Sequence, residues 1–300
     1  MLEVRRIWEA APHNAFTDLV WHGDEWVCVF REGENHVSDD GALRVIASPD
    51  GEQWSSAALL TSAEGDLRDA KITITPSGEL MLGGAVRAPG GPPWSFQSLV
   101  WFSRDGRSWS DPVMVGDHNF WMWRTTWHRG AAYNFGYDCG EGPRSLRLYR
   151  SYDGGAWETL VERLELGAYP NETQIAFADD TAYCLLRRDP DTGLIGTAEA
   201  PYTDWSWQDL GVRIGGPALL RLPDGRLVGC VRRYYDEPRY ATALGWIDPV
   251  AGRYEEFLEL PSAGDTSYAG LVWKDERLWV SYYSSHEGKT SIYLARVELA

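Results

Sequence analysis

The sequence predicts an all-β protein: a single six-bladed β-propeller domain over residues 1–300, with the N-terminal strand completing the last blade. Three observations carry this. One hairpin pattern recurs six times, a Ser-x-Asp-Gly-x-x-Trp turn recurs between hairpins, and no window sustains the 3.6-residue apolar period of a helix.

The six hairpins, in order, are LVWHGDEWVCVFRE, ITITPSGELMLGGAVR, TTWHRGAAYNFGYD, IAFADDTAYCLLRRD, LLRLPDGRLVGCVRRY and GLVWKDERLWVSYYSS. Each has a short apolar strand, a tight polar or glycine-containing turn, and a second strand rich in β-formers. Their spacing of roughly 50 residues is that of propeller blades. The turn device stands at 48–54, 103–109 and 151–157, with degenerate copies in PYTDWSW and IDPVAGRY. Its Ser and Asp can bond turn backbone, its Gly takes positive φ, and its Trp tucks under the fold, so it is given a structural role only. Five blades count in full from about residue 16 to residue 262. The last hairpin and SIYLARVEL lack a fourth strand, which LEVRRIWEA can supply, closing the ring and covering its open edges.

A chain of 300 residues with 16 tryptophans has enough apolar surface to build a full core. The net charge of −16 argues against nucleic acid and anionic membranes as partners. The four cysteines are far apart, and Cys28, Cys184 and Cys230 lie in apolar strand text, where a buried thiol is expected. MLEVRRIWEAAPHN has no apolar run behind its arginines, so neither a signal peptide nor a membrane anchor is read there and a cytoplasmic location is expected. Nothing bears on oligomeric state, and no cofactor or metal is implied, because no spacing of histidines and carboxylates supports a ligand set.

In a four-stranded antiparallel blade, the starts of strands one and three and the end of strand two share one rim. First-strand starts place Asp18, Arg68 with Asp69, Arg124, Asn171 with Glu172, and Tyr268 there. Second-strand ends add Arg31, His36, Arg87, Tyr137, Arg187, Arg188, Arg232, Arg233, Tyr283 and His286, and Arg239 opens the third strand of blade five. Any one of these charges is better explained by an exposed loop. Their concentration in an acidic protein favours a site, and an arginine-lined pocket suits a carboxylate ligand. Trp94, Trp121 and Trp123 are expected around the pocket, although filling the core accounts for each at least as well.

With these repeats and rim residues the chain resembles the sialidase (neuraminidase) superfamily, six-bladed propellers whose repeats, the Asp boxes, are similar to the Ser-x-Asp-Gly-x-x-Trp turns. The segment 171–189 is similar to the one in which a Glu opens a middle blade and an Arg ends the following strand, and TSYAGLVW resembles the last-blade tyrosine segment. The resemblance implies a carbohydrate substrate, Tyr268 as nucleophile, Glu172 as its activating base, and Arg188 and Arg239, with Arg233, as holders of a substrate carboxylate. A phenol suits an anomeric carbon bearing a carboxylate, which repels a charged carboxylate nucleophile. Two departures stand out. HNAFTDLVW has no arginine where the family opens its first blade, leaving Arg31 or Arg68 to substitute. In REGENHVSDDG the family's acid/base position falls nearer His36 than Asp39 or Asp40.

The expected function is therefore exo-acting hydrolysis of a terminal acidic sugar, with His36 or Asp39 as acid. Asp18, Arg124 and Trp123 would lie within the substrate pocket. Two alternatives stay open: a lyase acting on uronic-acid sugars with Arg, His and Tyr, and a non-catalytic carbohydrate-binding propeller.

Overall fold

The computed structural model describes residues 1–88, 95–140, 144–235 and 238–299. Its strands form six antiparallel sheets, one per blade, and among the described residues there is no helix. Blade one holds β2 (His13–His22), β3 (Glu25–Gly33), β4 (Ala42–Ser48) and β5 (Ser55–Leu60), and blade two β6 (Asp66–Ile74), β7 (Leu80–Arg87), β8 (Phe96–Ser103) and β9 (Val113–Val115). Blade three contains β10 (Phe120–Met122), β11 (Thr126–His128), β12 (Ala131–Asp138), β13 (Leu146–Ser151) and β14 (Trp157–Leu164). Blade four is β15 (Tyr169–Ala178), β16 (Thr181–Asp189), β17 (Leu194–Glu199) and β18 (Ser206–Asp209). Blade five is β19 (Ile214–Arg221), β20 (Leu227–Tyr234), β21 (Tyr240–Asp248) and β22 (Arg253–Glu259). Blade six joins β23 (Thr266–Lys274), β24 (Arg277–Ser284) and β25 (Ser291–Val297) to β1 (Leu2–Trp8).

The N-terminal strand closes the ring as expected. It pairs antiparallel with β25 from Leu2↔Val297 to Trp8↔Ile292 and covers an edge that would otherwise be open. Blade one is then tied to blade six by the amide of Asn14, which donates to Thr290 O at 3.2 Å.

The repeated turns close by one mechanism. Asp50 Oδ1 accepts the amides of Glu52 and Gln53, while Ser48 Oγ accepts that of Gly51. Asp105 and Asp153 repeat the pattern, and Trp109 and Trp157 donate their indole N–H to the carbonyls of Gly106 and Gly154. At 202–205 Tyr202 takes the glycine position at φ 67°, and Trp205 still donates to its carbonyl at 2.9 Å. Gly51 cannot be replaced in this way. A Cβ there would lie 2.7 Å from the ring of Trp279, which packs on Trp26 at 4.3 Å between blades six and one.

One element differs from expectation. The first strand of blade three is split: the Trp123 amide still donates to Phe135 O at 3.2 Å, but Arg124 and Thr125 leave the ladder between β10 and β11. Arg124 turns inward to Asp18 and the carbonyl of Ala269, so a cross-axis ion pair replaces local strand pairing.

Candidate active site

In five blades the first strand carries a bulge at the same height, two of its residues standing against one and shifting the register by one. The residues skipped are Phe16–Thr17, Asp69–Ala70, Asn171–Glu172, Gly216–Pro217 and Tyr268–Ala269, and blade three breaks there outright. Phe16, Asp69, Gly216 and Tyr268 have φ of 64°, 55°, 54° and 51°. Left-handed backbone is costly for Phe, Asp and Tyr, and a bulge re-aims the side chain it carries. The ring of bulges thus presents one residue per blade toward the axis.

Three of these blades supply a bonded cluster. The Tyr268 hydroxyl donates to Glu172 Oε1 at 2.6 Å across 96 positions of sequence. Arg187 Nη1, opposite the blade-four bulge, donates to the same carboxylate oxygen at 2.8 Å and to the phenol oxygen at 3.0 Å. The amide of Gly216 donates to Glu172 Oε2 at 2.8 Å, fixing the carboxylate plane. The phenol ring is walled by Phe16 at 5.2 Å and Trp123 at 5.8 Å, with the Arg232 guanidinium 5.2 Å and the Lys71 ammonium 5.9 Å from its centre. Burial, with the charge of Glu172 second, raises the phenol pKa well above its usual value, although Arg187 and Arg232 oppose this. The proton therefore leaves only to an adjacent base, and Glu172 is in place to take it.

Gly216 is required for this arrangement. A Cβ would meet Tyr268 Cδ2 at 2.7 Å in a backbone that already disfavours a side chain. Gly216→Ala is expected to destabilise the fold by about 1–3 kcal/mol in urea unfolding and to displace the phenol from Glu172. Unchanged stability would show that the close contact is relieved without strain.

Two further charges lie beside the phenol. Asp69 is buried at 6% exposure, and among the described residues its carboxyl accepts no hydrogen bond, the nearest cation being Arg68 Nε at 3.9 Å. Burial raises its pKa, with Arg68 and Lys71 lowering it and Glu172 raising it further. Lys71 is brought down to about 8, first by burial and then by the charge of Arg124.

On the outer wall Asp265 gathers His13 Nε2 at 3.1 Å, His36 Nδ1 at 2.7 Å, the Tyr283 hydroxyl at 2.7 Å and Arg232 Nη2 at 3.1 Å. Burial pushes this carboxyl up, but the two histidine hydrogen bonds, with the charges of His36 and Arg232, outweigh it and hold the pKa well below the usual range. His13, His36 and Asp265 bring their ligand atoms within 4.8 Å of one another, the one group among the described residues able to hold a metal ion. Two features disfavour a cation there. Arg232 already supplies positive charge to the carboxylate, and buried His13 Nδ1 lacks the second partner that ligating histidines use.

The structure gathers Tyr268, Glu172, Trp123, His36 and Arg68 around this cluster. The ring of Phe16 sits 5.1 Å from that of His36 and 5.4 Å from the Arg68 guanidinium. Asp18 and Arg124 form a buried 2.8 Å pair on the axis. Five other predicted residues are not brought to the phenol. Arg188 binds Leu166 O, Thr192 O and Asp209, Arg233 binds Glu256 and Arg213 O, and Arg239 pairs with Glu259 on the surface. Arg31 is wholly buried against Asp66, Asn35 O and Ser38, where it shapes the blade-one loop, and Asp39 is exposed, 3.7 Å from Arg87. In both Arg-Arg pairs it is the first arginine, Arg187 or Arg232, that faces the phenol, because consecutive strand residues point to opposite faces. Trp94 lies outside the described residues.

No protein-family model matches the chain, and no curated protein matches it. Solved structures do. A protein of unknown function from Dyadobacter fermentans superposes with a TM-score of 0.88 at 19% identity, covering 99% of this chain and 98% of that one. The sialidase of Trypanosoma rangeli in complex with sialic acid gives 0.74 at 14% identity over 96% of this chain. This chain spans 55% of that sialidase's length. A mutant α-L-arabinofuranosidase of Fusarium graminearum gives 0.75 at 13% identity, covering 98% and 96% of the two chains. At these identities the likeness is one of fold.

Proposed function

We propose that the protein is an exo-acting glycoside hydrolase that removes a terminal acidic sugar through Tyr268 as nucleophile. The observation that carries this reading is the 2.6 Å bond between a buried phenol and a buried carboxylate, with Arg187 bridging both. A strand start needs no such pair for folding, and a binding site needs no base on a phenol.

The step balances as follows. Glu172 takes the phenol proton, the Tyr268 oxygen bonds the anomeric carbon, and the glycosidic C–O bond breaks as the leaving oxygen takes a proton from Asp69. Water, deprotonated by Asp69, then attacks the anomeric carbon, and the phenol leaves with the proton returned by Glu172. Arg187 donates to the oxygen on which charge develops, and Arg232 and Lys71 stand over the ring's π-face. Arg187 and Arg232 are assigned the substrate carboxylate. His36, oriented by Asp265, is assigned the leaving-group side.

A neutral sugar is the second reading, and two observations favour it. Arg187 and Arg232 are already paired with Glu172, Asp189 and Asp265, and the blade-one bulge carries Phe16, with no arginine in HNAFTDLVW. The arabinofuranosidase among the structural neighbours is in keeping with it.

The test is a panel of aryl glycosides of sialic acid, related nonulosonic acids, uronic acids and arabinofuranose, run beside an ultraviolet assay for unsaturated products. Release of the aryl alcohol from an acidic glycoside, without ultraviolet gain, is the expected result. Release from arabinofuranoside alone selects the second reading, an unsaturated product selects elimination, and binding without turnover removes the enzymatic proposal.

A further inference from the structure

We propose that the opposite mouth of the axial channel is a second ligand site, for a small anionic sugar ring. This goes beyond the hydrolytic reading and does not depend on it. A cavity of about 680 Å³ opens there, lined by the first strands of all six blades. That is the size of a small-molecule pocket.

Its walls supply apolar faces. Trp21, Trp127, Phe177 and Trp273, from four different blades, line it and are half-buried. Aromatic faces of this kind receive the C–H faces of a sugar.

The interior supplies unanswered polarity. Among the described residues, four buried atoms of lining residues have no hydrogen-bond partner: Trp123 Nε1, Trp127 Nε1, Arg124 Nε and Asn134 Oδ1. Lys71, 4% exposed, has only the carbonyl of Ala70 at 3.1 Å and the faces of two aromatic rings.

The charge selects an anion. Lys71, Arg124 and Arg221 line the cavity against a single carboxylate, Asp18. Both oxygens of Asp18 are already engaged, by Arg124 and the amide of Leu19 on one and by the amide of Ile72 on the other. The cavity is thus net positive inside a chain of net charge −16. A hydroxylated ring bearing a carboxylate or phosphate meets all of these requirements. The site is separate from the phenol cluster, because Trp123 and Lys71 lie between the cavity and the Tyr268 ring.

The experiment follows the indole N–H resonances of the ¹⁵N-labelled full-length chain during titration with D-glucuronate, N-acetylneuraminate, glucose 6-phosphate, glucose and acetate. Saturable shifts of the Trp127 signal, which lies away from the phenol, are expected with one or more of the three anionic sugars, the carboxylates and the phosphate distinguishing the two sources of charge. Weaker or no shifts are expected with glucose and acetate. Trp127→Phe, which shrinks the aromatic face that Trp127 turns to the cavity, is expected to weaken binding by up to about tenfold. Tyr268→Phe is expected to leave the titration unchanged. No saturable shift with any anionic sugar, equal shifts with glucose, indifference to Trp127→Phe, or loss of binding in Tyr268→Phe would each overturn the proposal.

Discussion

Tyr268→Phe is expected to lower kcat/KM on the active glycoside by on the order of 10⁴-fold, the scale seen when a nucleophile is removed from a preassembled catalytic unit, while urea unfolding changes little. The ring keeps its contacts with Phe16, Trp123 and Tyr283, so packing is preserved. What is lost is the hydroxyl that donates to Glu172 and accepts from Arg187. Glu172 retains the Gly216 amide and Arg187 as donors, so its charge is not stranded. Denaturing mass spectrometry with a fluorinated, slow-leaving substrate supplies a second measurement: the native chain should gain the mass of one glycosyl group and the variant none. A rate within tenfold of the native chain, or a labelled variant, would remove Tyr268 as nucleophile.

Asp69→Asn is expected to cost about 10²–10⁴-fold with natural, poorly leaving alcohols and far less with activated aryl leaving groups, which need no proton. The pH dependence carries the same argument. Burial raises the Asp69 pKa, so its acid form persists above the ordinary carboxyl range. Activity that needs this proton is present below the raised value and is lost as pH climbs through it. The Asn variant should lose that alkaline limb, because the titrating group is gone, while His36→Ala should retain it. If His36→Ala loses the limb and Asp69→Asn keeps it, the acid role passes to the histidine. Equal losses on both classes of leaving group would argue against either residue as the acid.

Much of this protein was legible in its residues. The hairpin repeats, the turn spacing and the unpaired LEVRRIWEA were enough for the six blades and the closing strand, because strand alternation and turn chemistry are local. They were also enough to place Tyr268 and Glu172 on one rim, since chain reversal at each strand decides which ends meet. Choosing among neighbours was not possible from them. Arg187 and Arg188 differ only in pleat parity, as do Arg232 and Arg233, and the parity at the rim is reset by the bulges. Segments such as AFTDL, RDAKI, PNETQ, GGPAL and SYAGL can be aligned as bulged strand starts only once the ladder is seen. Asp265 is a further case: its partners come from positions 13, 36, 232 and 283, and only closure of the ring brings them to one carboxylate.

Short-range chemistry in the chain thus determined the repeat, its count and the rim that carries the phenol and its carboxylate partner. Tertiary structure decided which side chain of each pair faces the axis, how deeply it is buried and which charges are already paired. Those properties arise from contacts between blades, where a one-residue change in register sends a side chain to the opposite face of its sheet.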